Sequence, residues 1–68
     1  MILKINGEIR NFLEIDSLTI ARLLELIDRE HKWIAVAVDN EVIPRNRFGT
    51  FPLLDGQAVE ILTPMQGG

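Results

Sequence analysis

The first informative stretch of this 68-residue chain is residues 2–9, which read Ile2-Leu3-Lys4-Ile5-Asn6-Gly7-Glu8-Ile9. Asn6-Gly7 is the strongest two-residue signal for a β-hairpin, because both positions tolerate a positive φ. Apolar residues alternate roughly with polar ones on either side of it. The stretch therefore predicts a strand, a tight turn and a return strand that continues through residues 8–14.

The period of the apolar residues changes directly after this hairpin. The apolar residues at the new spacing are Ile20, Leu23, Leu24 and Ile27. Positions i, i+3, i+4 and i+7 form one face of an α-helix, so we expect a helix that covers the sheet. Asp16, Ser17 and Thr19 are all suitable N-cap residues, and the sequence does not choose between Ser17 and Thr19.

The second half of the chain predicts three further strands. Residues 33–38 are rich in β-branched residues, and a turn at residues 39–41 leads to the short strand Val42-Ile43, which Pro44 ends because it has no N–H for a ladder. Residues 45–54 show little periodicity and are predicted to be a loop. Residues 57–63 form the last strand, and Pro64 ends it.

The predicted order is β-β-α-β-β-β, and the predicted class is α+β. We expect a β-grasp, in which a mixed sheet of four to five strands packs on one main helix. The length allows one domain, residues 1–68, with a flexible C-terminal tail at residues 64–68.

Composition excludes several classes of function. Seven basic and ten acidic residues are scattered along the chain and give a net charge of −3, so no basic stripe favours nucleic acid. Residues 33–38, like every other uncharged stretch of the chain, are too short to span a membrane, and no signal peptide is apparent, so we expect a cytoplasmic protein. With no cysteine and one histidine, His31, we expect no disulfide, no metal site and no cysteine nucleophile. A domain this small has little room for an active-site cleft, which argues against an autonomous enzyme.

The pair Gly67-Gly68 at the end of the sequence is the main candidate for function. A segment without side chains can enter a narrow channel of another enzyme, and an ionised terminal carboxylate can attack the α-phosphate of ATP. The chain has no Gly-rich phosphate loop, so a partner would supply the phosphate site and magnesium. The alternative is a frayed tail or a remnant of cloning.

The outer face of the sheet, opposite the helix, is a second candidate. Strand alternation places Ile2 and Leu62 there with several alanines, and with Met65 they would form an apolar docking surface for a partner. An oligomer contact or scattered small residues are the alternatives. Arg45 and Arg47 are either a contact for an acidic partner or part of a solvated loop.

Together these segments resemble the ThiS family, the sulfur carriers of thiamine biosynthesis. The residues that carry the resemblance are Asn6-Gly7, Thr19-Ile20 with Leu23-Leu24, residues 37–45, Asp55-Gly56, residues 59–64 and Gly67-Gly68. Members often have asparagine after the valine at the position of Asp39, to which we attach no function. The family implies a ubiquitin-like fold, reached above from the residues alone.

The resemblance also implies a chemical cycle with no cofactor bound by this chain. An E1-like enzyme would use ATP and magnesium to adenylate Gly68, and a sulfur donor such as a cysteine desulfurase would lead to a thiocarboxylate. Thiazole synthase would then take the sulfur. The alternatives are a carrier of a sister pathway, for molybdopterin, amino-acid or tRNA thiolation, and a non-catalytic β-grasp binding module that does not use its terminus.

Overall fold

The computed structural model describes residues 1–27 and 34–63, and it contains seven strands, one α-helix and a 3-10 turn. The strands are β1 (Ile2–Ile5), β2 (Glu8–Asn11), β3 (Leu18–Thr19), β4 (Ala35–Val38), β5 (Glu41–Ile43), β6 (Pro52–Leu53) and β7 (Ala58–Leu62). Helix α1 spans Ile20–Leu26, and the 3-10 turn spans Arg45–Arg47. Trp33 and the predicted tail at residues 64–68 lie outside the described residues.

Five strands form one mixed sheet in the order β2-β1-β7-β4-β5. Strand β7 lies in the middle, where it runs parallel to β1 and antiparallel to β4. Two hairpins, β1–β2 and β4–β5, therefore flank the last strand of the chain. The predicted mixed sheet packed on one helix is confirmed.

Both hairpins have two-residue turns in which each residue has a positive φ. Asn6 and Gly7 have φ values of 49° and 85°, and Asp39 and Asn40 have values of 49° and 70°. This backbone matches the twist of the flanking strands, and Asn, Asp and Gly are the residues that tolerate it best. The first return strand is shorter than predicted and ends at Asn11, because the chain turns again at Glu14.

Helix α1 begins at the later of the two cap candidates. The Thr19 hydroxyl accepts a hydrogen bond from the Arg22 N–H at 3.2 Å, which satisfies one donor of the first turn. Leu23 and Leu24 are fully buried against the sheet, whereas Ile27 lies at the C-cap and is only half-buried. The core-facing side of the helix is thus confirmed, with Ile27 at its margin.

Residues 45–54 are more ordered than predicted. Strand β6 pairs antiparallel with β3 in a separate two-stranded sheet, with Leu53 opposite Leu18. The carbonyl of Phe48 accepts the Ala21 N–H at 2.9 Å, and the carbonyl of Phe51 accepts the Ile20 N–H at 3.3 Å. This segment therefore supplies acceptors to the first N–H groups of the helix, which have no partner inside it.

The core lies between the helix and one face of the sheet. Every second residue of β1, β4 and β7 is buried, so side chains alternate between this inner face and an outer face. The buried core residues are Leu3, Ile5, Leu18, Ile20, Leu23, Leu24, Ile34, Val36, Val38, Ile43, Phe48, Leu53, Val59 and Ile61. Among the residues that the structure describes, no helix is long and apolar enough to cross a membrane.

Candidate functional site

The end of β7 is the point from which the chain continues towards Gly67-Gly68, and three strands meet at this end of the sheet. Leu62, the last residue of β7, pairs with Ala35, the first residue of β4. The next residue of β4, Val36, pairs with Ile43, the last residue of β5. The end of β7 therefore lies beside the start of β4, and the end of β5 lies on the far side of β4.

Apolar side chains are exposed on the outer face at this end. Leu62 is 59% exposed and pairs with Ala35 on the face opposite the helix. Val42 is 72% exposed on the same face, where it pairs with Ala37, two residues further along β4. We call Ala35, Val42 and Leu62 the tail-side patch. Removal of exposed aliphatic surface from water is favourable, which makes this patch a candidate for contact with a partner.

The other residues predicted to form the docking surface lie elsewhere. Ile2 is on the predicted outer face and 43% exposed, but the parallel register of β1 and β7 places it beside Gly56, before β7 begins. Gly56 precedes Leu62 by six residues, a separation of about 20 Å along an extended strand. The structure therefore does not bring Ile2 and Leu62 together. Met65, Gly67 and Gly68 lie outside the described residues.

Asp39 has a structural role that the sequence did not indicate. Its carboxylate accepts the Ala58 N–H at 3.0 Å and the Gln57 side-chain amide at 3.2 Å. Its own N–H donates to the Ala58 carbonyl at 2.8 Å. The turn residue of the second hairpin thus fixes the start of β7, the strand that leads to the tail.

Arg45 and Arg47 are exposed on the 3-10 turn that follows Pro44. The Arg47 guanidinium lies 5.9 Å from the centre of the Phe51 ring, within the range of a cation–π contact. Within residues 1–27 and 34–63, the one recorded ion pair joins Arg22 and Glu25 on the exposed side of the helix. Arg45 comes two residues after Ile43, so it lies close to the end of the sheet that carries the tail-side patch. His31 lies outside the described part of the chain.

Every charged side chain of the described residues is exposed. No polar or charged side chain among them is buried, and no group of three His, Cys, Asp or Glu residues could hold a metal ion. A depression of about 370 Å³ lies on the sheet beside Lys4, Ala58 and Glu60. Lys4 and Glu60, the charged residues that line it, are both exposed.

The structure is a ubiquitin-like β-grasp. One helix packs on the inner face of a five-stranded mixed sheet, and the chain continues from the central strand of that sheet. The sequence pattern of the ThiS family matches residues 3–68, which is nearly the whole chain. The chain therefore belongs to the ThiS family.

Comparison with solved structures agrees with this assignment. The crystal structure of a thiamine biosynthesis protein (ThiS) from Geobacter metallireducens is 32% identical in sequence, with a TM-score of 0.88 and coverage of 100% of both chains. The solution NMR structure of a thiamine biosynthesis protein from the same organism has a TM-score of 0.84 at 32% identity, and the match covers 100% of this chain and 88% of that one. A search of curated proteins gave no significant match.

Proposed function

We propose that this protein is a cytoplasmic sulfur carrier of thiamine biosynthesis, and that the sulfur travels on the carboxyl group of Gly68. Membership of the ThiS family over residues 3–68 carries this proposal. The likeness to a thiamine biosynthesis protein at 32% identity over the full length of both chains supports the pathway. The chain is then a protein co-substrate, and its partners perform the catalysis.

The chemistry takes place at one carbon atom. The Gly68 carboxylate attacks the α-phosphorus of ATP in the site of an E1-like enzyme, which forms an acyl adenylate and releases pyrophosphate. A persulfide, supplied by a donor such as a cysteine desulfurase, attacks the carbonyl carbon and AMP leaves. Reduction of the sulfur–sulfur bond by a thiol then leaves the thiocarboxylate, from which thiazole synthase takes the sulfur. ATP and magnesium belong to the partner enzyme.

Docking is proposed to occur through the tail-side patch. Leu62 and Val42 offer exposed aliphatic surface at the end of the sheet that precedes the tail. Arg45, exposed near the same end, suits a partner with an acidic rim around an apolar centre. Met65, three residues beyond Leu62, is assigned to the same contact, whereas Ile2 is too far along the sheet to share it.

The experiment that tests the carrier function is an intact-mass measurement. The protein is incubated with an E1-like activating enzyme, ATP, magnesium, a persulfide donor and a thiol. We expect a mass gain equal to the replacement of one oxygen by sulfur, and fragmentation locates it at Gly68. Deletion of Gly68, or one alanine appended after it, abolishes both this gain and pyrophosphate release.

Arg22→Ala is the matched control, because Arg22 lies on the exposed side of the helix, across the core from the tail-side patch. It retains wild-type pyrophosphate release. Unchanged release after deletion of Gly68 contradicts the proposal. If an enzyme that is active on another carrier does not modify the wild-type protein, the pathway is a sister pathway or the domain is a binding module.

A further inference from the structure

The hydrogen-bond ladder between β1 and β7 stops before β7 ends. The Lys4 N–H donates to the Gln57 carbonyl at 3.0 Å, and the Asn6 N–H donates to the Val59 carbonyl at 2.9 Å. In a continued parallel ladder, the next bonds would join the backbone of Ile61 to the carbonyl of residue 6 and the N–H of residue 8. The chain instead turns away at Asn6-Gly7 and enters β2.

The side chain of Asn6 takes the place of these missing bonds. Its Oδ1 accepts the Ile61 N–H at 2.7 Å, and its Nδ2 donates to the Ile61 carbonyl at 3.2 Å. A primary amide carries the same donor and acceptor groups as a peptide unit. Asn6 therefore extends β1 by the equivalent of one peptide group, and both groups of Ile61 are paired with it.

Strand β4 does not offer Ile61 these bonds from the other side. In an antiparallel pair, hydrogen-bonded and non-bonded residue pairs alternate. The Asp39 N–H donates to the Ala58 carbonyl, which marks that pair as bonded. Three residues further along β7, Ile61 stands opposite Val36 in a non-bonded pair, and its N–H and C=O point towards β1. Asn6 is thus the hydrogen-bonding partner that holds the backbone of Ile61.

Ile61 directly precedes Leu62 of the tail-side patch and lies seven residues before Gly68. We propose that Asn6 is a positioning residue: its side-chain amide fixes the end of β7, so that Gly68 reaches the adenylating site while the patch is docked. This inference rests on the proposed carrier function. Loss of the amide lets the end of β7 fray from the β1 side, which lowers the fraction of docked molecules whose carboxylate reaches the nucleotide.

Two substitutions at residue 6 distinguish the effect of the side-chain amide from the effect of the turn backbone. Asn6→Gly and Asn6→Asp both tolerate the φ of 49°, so the hairpin can form in each. Gly removes both side-chain hydrogen bonds, whereas Asp keeps the acceptor for the Ile61 N–H and replaces the donor by an oxygen facing the Ile61 carbonyl. Asn40→Gly is the matched control, because Asn40 has a φ of 70° in the other hairpin and no side-chain hydrogen bond within the described residues.

The first measurement is amide hydrogen exchange by NMR, at a temperature well below the melting transition of every variant. We expect the Ile61 N–H to exchange about tenfold faster or more in Asn6→Gly, and the core amide of Leu24 to be unchanged, because local opening affects only the groups it exposes. In Asn6→Asp the increase is smaller. Ile61 protection equal to wild type in Asn6→Gly overturns the proposal.

The second measurement is pyrophosphate release with the E1-like enzyme as a function of carrier concentration. We expect kcat to fall about tenfold in Asn6→Gly with KM nearly unchanged, because misplacement of the reacting group affects the chemical step more than docking through the patch. Asn40→Gly retains the wild-type kcat. A lower melting temperature with an unchanged kcat overturns the positioning role and leaves a purely structural one.

Different results contradict the carrier function and the positioning role of Asn6. If wild-type protein is adenylated and the Asn6 variants match it, the positioning role alone is wrong. If wild-type protein is not adenylated, the carrier function is wrong and the positioning role falls with it, while the exchange of Ile61 still decides whether Asn6 holds β7.

Discussion

Replacing Leu62 by glutamate is the sharpest test of the tail-side patch. Leu62 is 59% exposed on the outer face of β7, so the folded protein loses little packing when a charged side chain stands there. A docked partner, in contrast, would cover the side chain and would have to desolvate the new carboxylate. Leu62→Glu should therefore weaken docking while the domain stays folded.

The exposed fraction sets the size of the effect. Full burial of a leucine side chain stabilises by roughly 1.5–3 kcal/mol. With 59% of Leu62 still exposed, about 0.9–1.8 kcal/mol of this remains to be gained on docking. At about 1.4 kcal/mol per factor of ten, loss of this term alone weakens binding by roughly 4- to 20-fold. Desolvation of the introduced carboxylate in Leu62→Glu weakens binding further.

Isothermal titration calorimetry with the E1-like enzyme measures the affinity, and urea titration measures stability. Ile9→Glu is the matched control, because Ile9 is 67% exposed on the same face, opposite Lys4, at the far edge of the sheet. Strand spacing and rise place it roughly 16 Å from Leu62. Wild-type affinity in Leu62→Glu, or an equal loss in Ile9→Glu, would refute docking at the tail-side patch.

Two further substitutions test the packing that supports the site. Leu24→Ala should lower the free energy of unfolding by about 2–5 kcal/mol in urea titration, because Leu24 is fully buried and its loss leaves a cavity. Leu26→Ala, on the same helix at a 40% exposed position, should cost much less, and equal losses would contradict the assigned core. Thr19→Ala should cost about 1 kcal/mol, because the Arg22 N–H loses its acceptor. Thr19→Ser should retain most of that stability, and a Ser variant as unstable as the Ala variant would show that the hydroxyl is not what matters.

The parts of the fold that depend on residues adjacent in the sequence are predictable from the sequence. Asn6-Gly7 specifies its turn through its own backbone preferences, and alternation along β1 and β7 assigns each side chain to a face. Alternation does not give register, however. Ile2 was assigned to the correct face, but its distance from Leu62 depends on how β1 is aligned with β7, two segments far apart in the chain.

Contacts between distant segments account for what the sequence did not reveal. Strands β3 and β6 have two residues each, too few for a periodic pattern, and they form because they pair with each other. The Asn6 side chain accepts the Ile61 N–H from 55 positions away, and the Asp39 carboxylate accepts the Ala58 N–H from 19 positions away. Asn and Asp are ordinary turn residues, so nothing in their local sequence distinguishes these roles.

The central position of β7 has a consequence for how the protein is made. Hairpins β1–β2 and β4–β5 are not neighbours in the sheet, and residues 58–62 lie between them. An isolated two-stranded hairpin is marginally stable in water, and β7 is the strand that joins the two hairpins into one sheet. The five-stranded sheet forms only after residues 58–62 have left the ribosome. Until then β1 lacks its parallel neighbour β7, which is more than fifty residues away in the chain. The strand that completes the domain is also the strand that leads to the tail, so a folding intermediate that lacks β7 has no assembled tail-side patch.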